Sequence, residues 1–370
     1  MKKLLLLLYI LPATLLLAGC RGGNIFSCRR DMERLRPVQT LGLDRAGTGV
    51  TLSVSTGIGP DDEPALVMKT DAPGIETAIT RLQDYSPEDE LFYAHVRYIL
   101  LGEDLSGESV LPLLDWVERS PAMRMDTPIL LVKGSAAQAV AGTAGESTDI
   151  TERLASLQRE ELSRGQHIYT LREIASSLLE RGSALCLAVK TVPGEGTVIT
   201  DSEAQADAVL PAGYAVLTGE EGTLTAYLTD DETLGAQLLS GPVTGAHISV
   251  NGSVLEIVGG SARAKGLWDE NGGLSGILLC AELDAGVLER QEGRRGELEE
   301  AFRRAVEGCL TDAVARSQAM GCDYLDLERA VLDSMSARRQ YGGLWSELFP
   351  TLPVFTAVEA RIDRSYDLAE

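Results

Sequence analysis

The sequence predicts an α+β protein of more than one domain, with mixed β-sheets flanked by α-helices. Three observations carry that expectation. Helical and strand patterns alternate over residues 75–192, as crossover connections between parallel strands require. Short strand runs separated by Gly-rich turns dominate 208–283. A long amphipathic helix follows near residue 298, and the chain closes on an alternating strand at 353–362. The 370 residues allow about two to three domains. A composition of 44% hydrophobic and 24% charged residues suits a packed globular body.

The first twenty residues stand apart. Lys2 and Lys3 form a positive start, and residues 4–17 form an apolar stretch too short for a comfortable transmembrane helix. It ends in Leu17-Ala18-Gly19-Cys20, which resembles the bacterial lipobox, whose cysteine thiol receives a diacylglyceryl group and becomes the mature N-terminus. Residues 1–20 thus read as a lipoprotein signal peptide and Cys20 as the lipidation site, where two acyl chains would anchor stably. These twenty residues hold two lysines and no acid, so the other 350 carry 31 basic against 55 acidic side chains, a net −24. Such acidity argues against nucleic acid as a partner. It also means that electrostatics alone would not hold the body at an anionic membrane.

Behind the signal, residues 50–55 alternate with period two, as a half-buried strand does. Residues 57–64 form an acidic turn-rich loop. Ile75, Ile79 and Leu82 share one stripe of a first helix over 75–85. Ser86-Pro87-Glu88-Asp89 then has the form of a second helix start, with Ser as N-cap, Pro at the first helical position and acids in the first turn. The apolar runs 96–101 and 129–132 suit buried strands, with a helix over 110–117 between them. Residues 134–145 are small and Ala-rich. Two amphipathic helices span 149–164 and 171–181, the second stopped by Gly182.

A strand over 184–191 leads into Pro193-Gly194-Glu195-Gly196, and 193–207 is the best candidate linker. The expected division is therefore an N-terminal α/β domain at 21–192 and a C-terminal α+β region at 205–370, the latter divisible at 265/266. Strand runs occur at 208–217, 223–228, 246–250, 254–259 and 276–283. Asn251-Gly252 marks a hairpin. Thr229 and Glu232 have the spacing of a capping box, with a helix over 233–239 behind it. In the long helix Leu298, Phe302, Val306, Cys309 and Ala313 share one face, and Glu299–Arg303 and Glu300–Arg304 have ion-pair spacing. Gly321 stops it. Asp323 can cap another helix through Leu327, Val331 and Met335. Val354, Thr356, Val358, Ala360 and Ile362 share one face of the last strand.

Catalytic signals are sparse. His95, His167 and His247 are isolated in sequence, and a structural or partner-contact role suits His95 better than catalysis. No Gly-x-Ser-x-Gly elbow, dinucleotide fingerprint or Walker loop occurs. Gly259-Gly260-Ser261 with Lys265 is the nearest mimic and reads as a bent β segment. Asp61-Asp62-Glu63 and Asp230-Asp231-Glu232 read as a solvated loop and a helix first turn rather than calcium sites. Cys28, Cys186, Cys280, Cys309 and Cys322 form no metal or redox pattern, and most read as small buried hydrophobes, with one disulfide possible. Trp116 reads as core, and Trp345 as core or, as the alternative, an interface anchor. No catalytic, cofactor or metal residue is assigned.

The ordered motifs resemble the Ger(x)C family, the lipoprotein C subunits of spore germinant receptors. The likeness rests on Cys20, Cys28-Arg29-Arg30-Asp31-Met32-Glu33, Leu41-Gly42-Leu43-Asp44, residues 91–97, Leu101-Gly102-Glu103-Asp104 and residues 128–134. It continues through residues 213–217, Ala226-Tyr227-Leu228-Thr229 with Glu232, Cys322-Asp323-Tyr324-Leu325-Asp326, Trp345 and residues 354–364. Two positions depart from the family pattern. Ser27-Cys28 stands where Trp-Asp is usual, and Arg364-Ser365-Tyr366 replaces an Arg-x-Gly-like turn. The resemblance implies a non-enzymatic subunit on the outer face of the spore inner membrane. It would work with membrane-embedded A and B subunits in sensing small nutrients, with no cofactor and no catalytic residues. A lipid-anchored extracytoplasmic solute-binding protein is the alternative, disfavoured because the second half is too β-rich to form a matching lobe. An extracytoplasmic hydrolase is disfavoured by the scarcity of histidine.

Overall fold

The computed structural model describes residues 34–56, 65–142, 149–196, 206–289 and 295–364. The first strands are β1 (Leu35–Pro37), β2 (Thr40–Ala46), β3 (Gly49–Ser55) and β4 (Val67–Ala72), followed by helix α1 (Ile75–Tyr85) and β5 (Glu90–Phe92). Strand β6 (Tyr98–Gly102), helices α2 (Glu103–Ser106) and α3 (Leu111–Arg119), and β7 (Ile129–Val132) come next. Helices α4 (Ala136–Ala141), α5 (Ile150–Ser163) and α6 (Leu171–Arg181) lead to β8 (Ser183–Gly196), β9 (Ala206–Thr218) and β10 (Thr223–Tyr227). An eight-stranded sheet has the order β10-β9-β8-β7-β6-β2-β3-β4. Its centre, β2-β6-β7-β8, is parallel, and both flanks are antiparallel. Crossover helices therefore lie on both faces, which is why 98–101 and 129–132 are unbroken apolar runs. Ile99, Leu101, Ile129 and Leu131 face one core with α1, α3 and α6. Tyr98, Leu100, Leu130 and Val132 face the other with α4 and α5.

The chain continues through α7 (Asp230–Ser240), β11 (His247–Val250), β12 (Ser253–Trp268), β13 (Leu274–Glu289) and α8 (Arg295–Ala319). It ends with α9 (Leu327–Val331), α10 (Met335–Tyr341), α11 (Trp345–Leu348) and β14 (Val354–Arg364). The second sheet is β11-β12-β13-β14, with β14 parallel to β13. Its inner residues, among them Ile257, Leu279 and Leu283, join Phe302, Val306 and Leu310 of α8. That cluster is continuous with the α4–α5 core of the first sheet, so the two halves share buried contacts.

Several local expectations hold. Asn251 and Gly252 take φ of 50° and 76° in the β11–β12 turn, as a hairpin of that sequence requires. Thr229 and Glu232 form a reciprocal capping box on α7, and Gly182 ends α6 at φ 65°. A register shift between Ile257 and Gly259 bends β12. Trp116 and Trp345 are buried.

Others need correction. Ser86 to Asp89 is not a helix start but a turn into β5. The Gln83 amide donates to the Ser86 and Asp89 carbonyls at 3.2 and 2.6 Å, and β5 pairs with the distant β1. Part of 193–207 is strand: β8 pairs with β9 out to Gly196↔Ala206, so the first sheet draws β9 and β10 from beyond the expected 192/205 division. Its Pro and Gly content reads as linker because the partner strand that satisfies the backbone is non-local. The Ala-rich stretch contains α4. The helix expected through 323–335 breaks into α9 and α10, because the Ser334 hydroxyl caps Ala337 N–H. In α8, Glu299 pairs with Arg295 at 3.1 Å rather than with Arg303, which takes Glu300 at 2.7 Å. Cys20, Cys28 and the loop 57–64 lie outside the described residues. Among those described, no helix is long and apolar enough to cross a membrane.

Candidate functional site

The sequence motifs converge on two buried carboxylates. Asp44 leaves the end of β2 and reaches the N-terminus of α4. Its oxygens accept the Ala136 and Ala137 backbone N–H groups, both at 2.7 Å. The first turn of a helix has free donors and a positive dipole end, so a carboxylate there is doubly favoured. Gly102, at the end of neighbouring β6, makes room for it: a Cβ there would sit 2.0 Å from Asp44 Oδ1. Gly134, after β7, accepts the Glu103 N–H at 2.9 Å. Three motifs that are distant in sequence thus form one node at the carboxyl ends of β2, β6 and β7. Burial pushes the Asp44 pKa above the ordinary value, opposed by the two backbone N–H groups.

Asp323 builds the second node. It accepts Leu327 and Glu328 N–H at 2.9 and 2.7 Å and the Trp345 indole N–H at 3.0 Å. Trp345 stacks on Phe349 with ring centroids 5.3 Å apart. The neighbouring Tyr324 hydroxyl donates to the Ala313 carbonyl of α8 at 3.1 Å. A third tie joins β9 to the loop after α5: the Tyr214 hydroxyl donates to the His167 carbonyl at 2.9 Å and accepts its N–H at 3.0 Å. Gly213 before it takes φ +78°, a conformation costly for residues with a Cβ.

Between the two halves lies a cleft of about 750 Å³ lined by Gln166, His167, Tyr169, Ser240, Asp326 and Arg329, among others. Arg181 crosses it, holding Asp326 at 3.2 Å and Ser177 at 2.6 Å. His167 contacts Glu173 at 2.8 Å and stands edge-on to Tyr169 at 4.6 Å. His95 and His247 are exposed and do not line this cleft. Cys186, Cys280, Cys309 and Cys322 are free thiols. Burial pushes Cys186 up to about 12 and Cys322 to about 11, so both stay protonated and inert at neutral pH. Asp230, Asp231 and Glu232 occupy the first turn of α7. Among the described residues, no three His, Cys, Asp or Glu side chains cluster as metal ligands. The role of Asp44 was not read from the sequence; its signal was an acid at a strand end and a Ser before an Ala-rich run.

The arrangement was compared with known proteins. The family described as the spore germination protein N-terminal domain matches residues 29–191. The family described as spore germination B3/GerAC like, C-terminal, matches residues 212–366. The chain belongs to the Ger(x)C family. Among solved structures, the Ger(x)C chain is similar to one titled the crystal structure of the GerBC protein, at 16% identity and a TM-score of 0.55. That match covers 88% of this chain and 97% of the other, and it shows that the two share the same mixed α+β fold. No protein of curated function matches. Within this Ger(x)C member the motif carboxylates Asp44 and Asp323 have both oxygens engaged by internal N–H donors. Their work is to fasten strand ends, helix starts and Trp345 together.

Proposed function

We propose that this chain is the lipid-anchored, non-enzymatic C subunit of a spore nutrient germinant receptor. It is held by Cys20 at the outer face of the spore inner membrane and acts in germination by assembling with the membrane-embedded A and B subunits. The observation that carries this reading is the pair of spore-germination family matches across 29–191 and 212–366. The Leu17-Ala18-Gly19-Cys20 sequence supports the anchor, and the spent motif carboxylates support a scaffold rather than a catalyst. The alternative, a lipid-anchored extracytoplasmic solute-binding protein, rests on the cleft beside Arg181 and Asp326.

The anchoring step has a direct test. Wild-type chain in sporulating cells is expected to incorporate labelled fatty acid and to fractionate with membranes, whereas Cys20→Ala incorporates none and gives a weakened germination response. Unlabelled wild-type chain, or normal germination supported by an unlipidated form, would contradict it.

A further inference from the structure

The body behind residue 20 carries −24, yet one part of its surface is cationic. His95, Arg97, Arg124, Arg159 and Arg172 are all exposed. His95, Arg97 and Arg124 line a shallow hollow of about 290 Å³ at the amino ends of β6 and β7, in which Asp126 is the carboxylate; Arg159 flanks it, next to the lining residue Gln158 and acting on Tyr98. Arg124 holds Asp126 at 2.6 Å, and Arg172 also acts on it. Nearby acids on α5 and α6 are engaged elsewhere: Glu160 with Arg164 at 2.6 Å and Glu173 with His167 at 2.8 Å. The Arg97 guanidinium rests 5.8 Å from the Tyr98 ring centre, and no carboxylate pairs with it among the described residues. Residues 91–97 form the motif that neither buried node absorbs.

The position of the hollow relates it to the anchor. Strand β1 pairs with β5 from Leu35↔Glu90 to Pro37↔Phe92, and the Phe92 ring lies 5.4 Å from His95. Arg97 N–H donates to Gln39 at 2.7 Å. Arg34 therefore sits one short strand, on the order of 10 Å, from the rim. Only residues 21–33 separate Cys20 from Arg34, a reach of about 50 Å at most. Two cations also lie at this entry: Arg36 pairs with Asp89 at 3.3 Å, and Arg34 donates to the Glu88 backbone carbonyl at 2.9 Å.

We propose that this face is a membrane-docking surface, on which anionic lipid headgroups seat against His95, Arg97, Arg124 and Arg159. The inference rests on the Cys20 anchoring reading, which brings the face within reach of a bilayer. Guanidinium groups match phosphate geometry well, and each arginine near an anionic surface contributes roughly a fivefold gain in association. A tether alone would leave an acidic body free to tumble and be repelled. The cationic face gives it one favoured orientation, with the rest of the acidic surface turned away.

The test tethers the mature chain by an N-terminal histidine tag before residue 21 to vesicles holding a nickel-chelating lipid, so it does not depend on acylation. Failure of the Cys20 reading is then seen separately, in the fatty-acid labelling above. Amide hydrogen exchange is followed on vesicles of phosphatidylcholine with and without phosphatidylglycerol. Segments 94–98 and 124–128 are expected to exchange several-fold more slowly on the anionic vesicles. That protection should vanish in the Arg97→Glu/Arg159→Glu chain, and in about 1 M salt, where the screening length falls to about 3 Å. Both residues are exposed, so an unchanged thermal midpoint confirms that the variant folds. Equal exchange on both vesicle types, or protection that survives charge reversal, would overturn the proposal. So would protection seen only in native spore membranes, which would assign the face to a protein partner.

Discussion

Asp323→Ala is expected to lower the unfolding free energy by about 4 kcal/mol. The substitution strands three donors at once: Leu327 N–H, Glu328 N–H and the Trp345 indole N–H. The site is closed, with Asp323 7% and Trp345 4% exposed, so water cannot replace the lost acceptor. Each buried donor left unmet costs about 1–3 kcal/mol. Asp323→Asn keeps one acceptor oxygen but points an amide at a donor, and should lose about half as much. Denaturant unfolding measures both, and a loss below about 1 kcal/mol for the alanine variant would show that the node is not structural.

The same residue sets a pH dependence. Burial raises the Asp323 pKa above its ordinary value, against the three hydrogen bonds that lower it. The folded state then binds the proton more tightly than the unfolded chain. Its contribution is full below the unfolded value near 3.8 and is lost as pH rises through the folded value. Asp44 is raised by the same cause, so Asp323→Asn should reduce this acid-side slope without abolishing it.

Gly102→Ala is expected to cost about 3 kcal/mol. The backbone does not demand glycine there, since φ is −68° and ψ 151°. The demand is steric: a Cβ would lie 2.0 Å from Asp44 Oδ1 and 2.9 Å from its Cγ. Asp44 would have to leave the α4 N-terminus, uncapping Ala136 and Ala137. A double-mutant cycle isolates this cause. In an Asp44→Ala background, Gly102→Ala should cost about 1 kcal/mol or less, because the clash is already gone. An equal cost in both backgrounds would show that Gly102 serves some other purpose.

Features set by neighbours in sequence are legible in the sequence itself. The runs 96–101 and 129–132 announced buried strands, Thr229 and Glu232 announced a capped helix, and Asn251-Gly252 announced a hairpin. Features set by distant partners are not. Residues 86–89 have the form of a helix start because Ser-Pro-Glu-Asp satisfies every local helix-start rule, while the pairing of β5 with β1 reaches back 55 residues, from Glu90 to Leu35. Asp323 was read as a cap, but its bond to Trp345, 22 residues on, carries no local signal. Asp44 and Gly102 lie at the ends of adjacent parallel strands, so their contact follows only from the strand order. The motif order still carried the family assignment, because most of those motifs are the fastening points of the fold.

The central claim is that this chain works by assembly with two membrane subunits. It is tested most directly by recovering an affinity-tagged full chain from detergent-solubilised spore membranes and identifying what comes with it. The account predicts that the receptor's A and B subunits co-purify in comparable amounts with the lipidated chain. Recovery of intact, lipidated chain with neither subunit would contradict it.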